Sequence, residues 1–208
     1  MALPVKKKKM STDTKTDDKR EALKKLYYSV RNCRSCGLAS TRKKLVFGAG
    51  AASASVLIIG EAPGAQEDVQ GLPFVGAAGT LLTKMLAAIK LDRKKDVFIT
   101  NVVKCRPPEN RDPESSEIAA CEHILSGQIE VIQPKVILVL GRIAAQSLLG
   151  VAKPVGALRG DGHEYKGIPV VVTYHPAALL RNARYKRPAW EDLQKLERLL
   201  GQQDTNGG

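Results

Sequence analysis

The sequence predicts an α/β fold: a three-layer α/β/α sandwich around a central, mostly parallel four-stranded sheet. Four short apolar runs carry that prediction: VLII at 56–59, VFIT at 97–100, VILVL at 136–140 and VVVT at 170–173. They lack polar alternation, as strands buried on both faces do. Helical patterns stand between them, and strands alternating with helices imply βαβ units with helices on both faces of the sheet. The residues just past each run are the third observation. The first leads into Gly60-Glu61, the second into Asn101, the third into Gly141 and the fourth into Tyr174-His175-Pro176. Parallel strands end on one rim, so Glu61, Asn101 and His175 converge on one crevice.

In chain order, residues 1–19 read as a disordered basic arm, 20–200 as a single domain and 201–208 as a disordered tail. The stretch 20–30 is a helix pattern with Leu23, Leu26 and Tyr27 on one face. A loop with Cys33 and Cys36 follows. After the first strand comes GEAPGAQEDVQGLPFVGAAG at 60–79, whose five Gly and two Pro mark it as loop. It holds Glu61, Glu67, Asp68 and Phe74. Helices are expected at 77–89, 115–132, 142–149 and 190–200.

The chain has 208 residues, enough for one domain with a core. No apolar run approaches the roughly 20 residues of a membrane helix, and no apolar signal segment is readable near the N-terminus. The expected setting is prokaryotic cytoplasm, near the nucleoid, with no membrane partner. The formal charge is +12; residues 1–20 contribute +4 and the rest of the chain +8. That excess favours a polyanionic partner, nucleic acid before an anionic membrane. Acids on the 60–79 loop therefore need a reason.

Four cysteines, Cys33, Cys36, Cys105 and Cys121, make one C-x2-C pair and one widely split pair. A cytosolic chain does not normally use cysteine for disulfides. The set suits a four-thiolate site, either zinc or an iron–sulfur cluster. The asymmetry leans toward [4Fe–4S], with structural Zn as the alternative; the role would be to tie the N-terminal segment to the loop after the second strand.

Together, GEAPGAQEDVQGLPFVGAAGTLL, ITNVVKCRPPENRDP, YHPAALLRN and the four cysteines resemble the family 4, iron–sulfur uracil-DNA glycosylases of the uracil-DNA glycosylase superfamily. The resemblance spans about residues 20–200. It implies hydrolysis of the N-glycosidic bond of deoxyuridine in single- or double-stranded DNA by a monomer. Uracil is released, an abasic site remains, and the nucleotide is flipped because its bond is out of reach in the stack.

The resemblance also implies roles. Phe74 would stack on uracil; its plain alternative is a core Phe. Asn101 would donate to uracil O4 and accept from N3–H, a pattern that cytosine reverses; its alternative is a strand-end turn. His175, as a neutral donor near O2, would stabilise charge on the leaving base; its alternative is packing beneath Pro176. Glu61 would position or activate water, or stabilise a cationic sugar. Glu67 and Asp68 are further candidates, and Glu67 could instead crowd C5 of the base. Ala62 and Pro63 would lend backbone to the pocket floor. Leu179, Leu180 and Arg181 would form the loop that enters the duplex, unless the leucines start a helix and face the core. Lys104, Arg106, Arg111, Arg184, Lys186 and Arg187 would meet phosphates.

A covalent-trapping relative carries an Arg-rich insertion with a nucleophilic His after the second strand. CRPPENRDPESS has neither, so simple turnover is expected. The competing reading is a non-catalytic iron–sulfur DNA-binding module of the same fold.

Overall fold

A computed structural model describes residues 12–160 and 162–205. The four predicted strands form the parallel centre of its sheet: β2 (Val56–Gly60), β3 (Val97–Asn101), β4 (Val136–Leu140) and β6 (Ile168–Thr173). Two short edge strands, β1 (Ala49–Gly50) and β5 (His163–Tyr165), pair antiparallel with β3 and β6. The order across the sheet is β1-β3-β2-β4-β6-β5. The expectation of four strands is therefore corrected to six. Pieces of two or three residues carry no readable alternation, so periodicity does not reveal them.

Helices α1 (Thr12–Val30), α4 (Ser115–Ile132) and α5 (Arg142–Leu149) lie on one face; α3 (Ala77–Ala88), α7 (Pro176–Arg181) and α8 (Lys186–Thr205) lie on the other. Alternate strand residues feed the two faces. Leu57, Ile59, Phe98, Ile137 and Val139 join the first core, while Val56, Ile58, Val97, Ile99 and Leu138 join the second. The period of two is hidden in sequence because both faces are buried.

Three short helices fall where loop was expected. α2 (Ala65–Gln70) interrupts the 60–79 stretch and ends on Gly71 in the left-handed conformation; α6 (Val155–Leu158) and α7 are the others. The expected disorder at 12–19 and 201–205 is also corrected. α1 begins at Thr12, and the Lys19 ammonium donates to the carbonyl of Ile132 at the end of α4. α8 runs to Thr205. The rest of the predicted arm and tail, 1–11 and 206–208, lies outside the described residues. Among the described residues no helix is long and apolar enough to cross a membrane.

The strand order reverses at β2 and β4: the chain leaves β2 toward β3 on one side and leaves β4 toward β6 on the other. Such a switch point opens a crevice outside the carboxyl ends of the strands.

Candidate active site and cysteine site

Register sets the site. Gly60, the last residue of β2, pairs with Asn101, the last of β3. A Cβ on Gly60 would overlap Asn101 Oδ1 and come within 2.8 Å of the Phe74 ring. Glycine here lets the amide and the ring approach one backbone. Asn101 is 1 % exposed, and its Oδ1 has no hydrogen-bond partner among the described residues. A buried orphan acceptor costs about 1–3 kcal/mol, so a donor brought within reach of this atom would be favoured.

Phe74 is buried at the edge of the second core and has φ of 52°, in the left-handed region. That conformation is strained for a bulky side chain. Two side chains hold it. Arg93 donates to the carbonyls of Pro73 and Phe74 at 2.7 and 2.8 Å and also to that of Gly79. Glu67 Oε1 accepts from the amides of Val75 and Gly76 at 2.9 and 3.1 Å. A Cβ on Gly79 would collide with the Phe74 carbonyl, so the turn needs glycine there. No sequence pattern singles out Arg93, which lies in a short polar connection.

His175 caps α7: its Nδ1 accepts from the amide of Ala177 at 3.2 Å. That bond assigns the proton to Nε2. Burial lowers its pKa to about 4, with the nearby Arg181 charge adding to the shift and Glu67 opposing it. The imidazole is therefore neutral at physiological pH and presents an Nε2–H donor. Its ring lies 5.4 Å from that of Phe74, and the Phe74 ring and Asn101 Oδ1 both approach Gly60.

Glu61 follows β2 and is half-buried. Burial raises its carboxyl pKa, Asp112 raises it further, and Arg142 pulls it down. Arg142 donates to Asp112 at 2.5 Å, so an ion pair borders this carboxylate. Ala62 packs at the border of the first core and Pro63 is buried. Asp68, by contrast, is buried and accepts from the amides of Lys43 and Lys44; its carboxylate holds the loop.

Two sequence expectations are corrected. Leu179 is 3 % exposed within the second core, so it cannot serve as a wedge while packed there; Leu180, 53 % exposed, is the leucine of α7 that faces outward. In a single helical turn adjacent residues point to different sides. Lys104 is not a phosphate contact. It is wholly buried, and its ammonium donates to Thr100 Oγ1 at 2.7 Å, to the Asn101 carbonyl at 2.6 Å and to Gln128 Oε1 at 2.9 Å. Gln128 in turn donates to the Phe47 carbonyl. Burial lowers the Lys104 pKa to about 7 against the pull of Cys121 and Cys105. Gln128 left a signal: it is a polar residue among Ile124, Leu125 and Ile129 of α4.

Of the other basic residues, Arg181, Arg184, Lys186 and Arg187 are exposed, while Arg111 is tied to Glu117 by two hydrogen bonds and Arg106 to Asn110.

The cysteines come from three places: the loop after α1, the loop after β3, and α4. Cys105 lies within electrostatic reach of Cys36 and Cys121, and Cys121 within reach of Cys33 and Cys36. Among the described residues no three donors already stand in metal-ligating geometry. The donor set nonetheless fits a thiolate-bound group. Burial raises the Cys105 and Cys121 thiols, while donors from Arg42 (3.1 Å to Cys105 Sγ) and the Lys104 amide (3.3 Å to Cys121 Sγ) favour the thiolates.

Comparison with known proteins decides the family. A family profile described as "Uracil DNA glycosylase superfamily" matches residues 47–194. A type-4 uracil-DNA glycosylase of Archaeoglobus fulgidus is 42% identical over 189 residues, covering 87% of this chain and 94% of its own. The chain belongs to the type-4 uracil-DNA glycosylases. Further type-4 relatives come from Saccharolobus solfataricus (44% identical; 82% of this chain, 83% of the relative) and Thermotoga maritima (41%; 82% and 91%). The type-4 match thus extends over the crevice and the cysteines alike. It does not by itself distribute chemistry among Glu61, Glu67 and Asp68, and their hydrogen bonds separate them: two of the three carboxylates are already engaged by backbone amides.

Proposed function

We infer that this protein is a DNA-repair glycosylase that hydrolyses the N-glycosidic bond of deoxyuridine in DNA, releasing uracil and leaving an abasic site. One observation carries the reading: the orphaned Oδ1 of Asn101, buried beside Phe74, whose ring lies 5.4 Å from that of the neutral His175. A flipped uracil supplies what each group lacks. Its N3–H satisfies Oδ1, its O4 accepts from the Asn101 amide and its ring stacks on Phe74. Cytosine, with an amino group at C4 and an unprotonated N3, would leave both contacts unmade in a dry pocket.

Chemistry then follows from charge. Bond breaking puts negative charge on the leaving base and positive charge on the sugar. His175 donates toward uracil O2 without first losing a proton, since it is already neutral. Glu61 is the carboxylate we assign to the water and the cationic sugar: it alone of the three loop acids is not committed to backbone amides. Glu67 holds the Phe74 turn and acts on His175 electrostatically. Outside the pocket, Leu180, Arg181 and Arg184 serve the duplex: the leucine as wedge, the arginines on phosphate.

Cys33, Cys36, Cys105 and Cys121 would hold a [4Fe–4S] cluster. When bound, such a group would cross-link the loop after α1 to β3 and α4 and supply no step of the hydrolysis. Zinc is the competing occupant, and iron and acid-labile sulfide analysis of the purified protein separates the two.

Incubation with a uracil-containing oligonucleotide, followed by alkaline cleavage at abasic sites, tests the activity. Cleavage of the uracil strand and none of the cytosine control is expected. Folded, iron-loaded protein that leaves the uracil strand intact would instead favour the non-catalytic DNA-binding module.

A further inference from the structure

We propose that the β1 edge of the sheet carries a second nucleic-acid contact, a basic and aromatic groove that holds the single strand leading away from the flipped nucleotide. This rests on the DNA reading above. Three cavities of about 420, 590 and 610 Å³ lie along this edge. The first two share Tyr27 and Phe47, the second and third share Gln70, and the first and third share Gly50 and Lys94. The third is lined by Phe74, so the groove reaches the proposed stacking residue.

Its direction follows from the backbone. The Val46 amide bonds the Lys104 carbonyl beyond the end of β3, and the Ala51 amide bonds the Val97 carbonyl at its start. Residues 46–51 therefore run down the edge of the sheet from the catalytic rim to the opposite end. Five strand residues span roughly 17 Å at the usual rise per residue.

Phe47 and Leu23 on this path belong to the first core, but several of their neighbours stand outside it. Tyr28 is 61 % exposed, with the Arg31 guanidinium 5.2 Å from its ring centre. Tyr27 is held edge-on by Phe47 at 5.6 Å and remains exposed. Leu72 is exposed and lines the third cavity. Lys43, Lys44 and Lys94 are also exposed here. The acids nearby are occupied: Asp17 and Glu21 pair with Arg20 and Lys24, and Asp92 accepts from the amides of Lys94 and Lys95. Positive charge thus dominates, which selects a polyanion. Exposed tyrosines interleaved with cations suit unpaired bases, whose faces are free to stack; in a duplex those faces are covered.

The test uses the full chain and fluorescence anisotropy with two uracil-containing single strands, one of about five nucleotides and one of about twenty, titrated with salt. Tyr28→Ala is expected to weaken binding of the long strand about fivefold or more. A Lys44→Glu, Lys94→Glu double variant should reduce the slope of log affinity against log salt by about 1.4, or about 0.7 for each phosphate no longer neutralised. Uracil excision from the short strand should be unchanged in both, and Tyr28→Phe should bind as the parent does. Wild-type affinity and salt slope in both variants would overturn the proposal. So would equal weakening of short and long strands, which would place the effect in the pocket. Failure of the glycosylase reading itself would appear separately, as absence of excision by the parent chain, while the anisotropy still reports on the groove.

Discussion

The buried ammonium of Lys104 donates to the backbone carbonyl of Asn101 at 2.6 Å, and the amide of the same lysine donates to Cys121 Sγ at 3.3 Å. One residue thus spans the cysteine site and the residue assigned to read the base. Lys104→Met keeps most of the volume but removes the donor that serves the Asn101 carbonyl, Thr100 Oγ1 and Gln128 Oε1, of which Gln128 Oε1 keeps the Thr100 hydroxyl. We expect a loss of about 2 kcal/mol of stability in urea melts and a raised KM for uracil-containing DNA. Parent-like values for both would show that Lys104 does not position Asn101.

Such a role is invisible in sequence, and the reason is physical. Within VVKC a lysine beside a proline-rich loop reads as a surface charge, since lysine is almost never fully buried. Only the fold reveals that its partners Thr100 and Gln128 arrive from β3 and α4. What the sequence does disclose is local: four apolar runs bounded by loop signals, and the chemistry-bearing residues just after them. That is why the positions of Glu61, Asn101 and His175 at the ends of their strands are legible while the supports beneath them are not. Leu179 and Leu180 show the same limit. Adjacent and chemically identical, they differ only in which side of a six-residue helix they occupy.

His175 makes stability depend on pH. Its folded pKa, about 4, lies below its ordinary value of 6.5 because burial disfavours the imidazolium. The unfolded chain therefore takes up this proton first as pH falls. The stabilisation is fully present above about pH 6.5, declines as pH drops toward 4, and amounts to at most about 3 kcal/mol. A His175→Gln variant should show a flatter dependence of Tm on pH across that window. An unchanged slope would mean that this imidazole is not held neutral by its surroundings.

Gly60→Ala tests the close approach of three residues. The added methyl would meet Asn101 Oδ1 and the Phe74 ring, neither of which is the free end of a flexible chain. Because Phe74 is already held at a strained φ, the methyl should displace the amide instead. We expect kcat/KM for uracil excision to fall by about tenfold or more, the equivalent of about 1.4 kcal/mol, with a smaller loss of stability. Full activity would show that the pocket has more room than the geometry indicates.

Glu61 and Glu67 separate by the form of substitution each tolerates. Glu67 Oε1 accepts from two backbone amides that fix the Phe74 turn, and a glutamine carbonyl can accept the same two bonds. Glu67→Gln should therefore retain most of its activity, while Glu67→Ala should lose about 1–3 kcal/mol of stability and fall in activity with it. Glu61 has the opposite profile. Its assigned role needs a charge or a proton acceptor, which glutamine lacks, so Glu61→Gln should lower kcat by about 10²–10⁴-fold at unchanged Tm. Single-turnover excision and thermal melts on the three variants decide the matter. An inactive Glu67→Gln beside an active Glu61→Gln would reverse the assignment and make the loop staple the catalytic carboxylate.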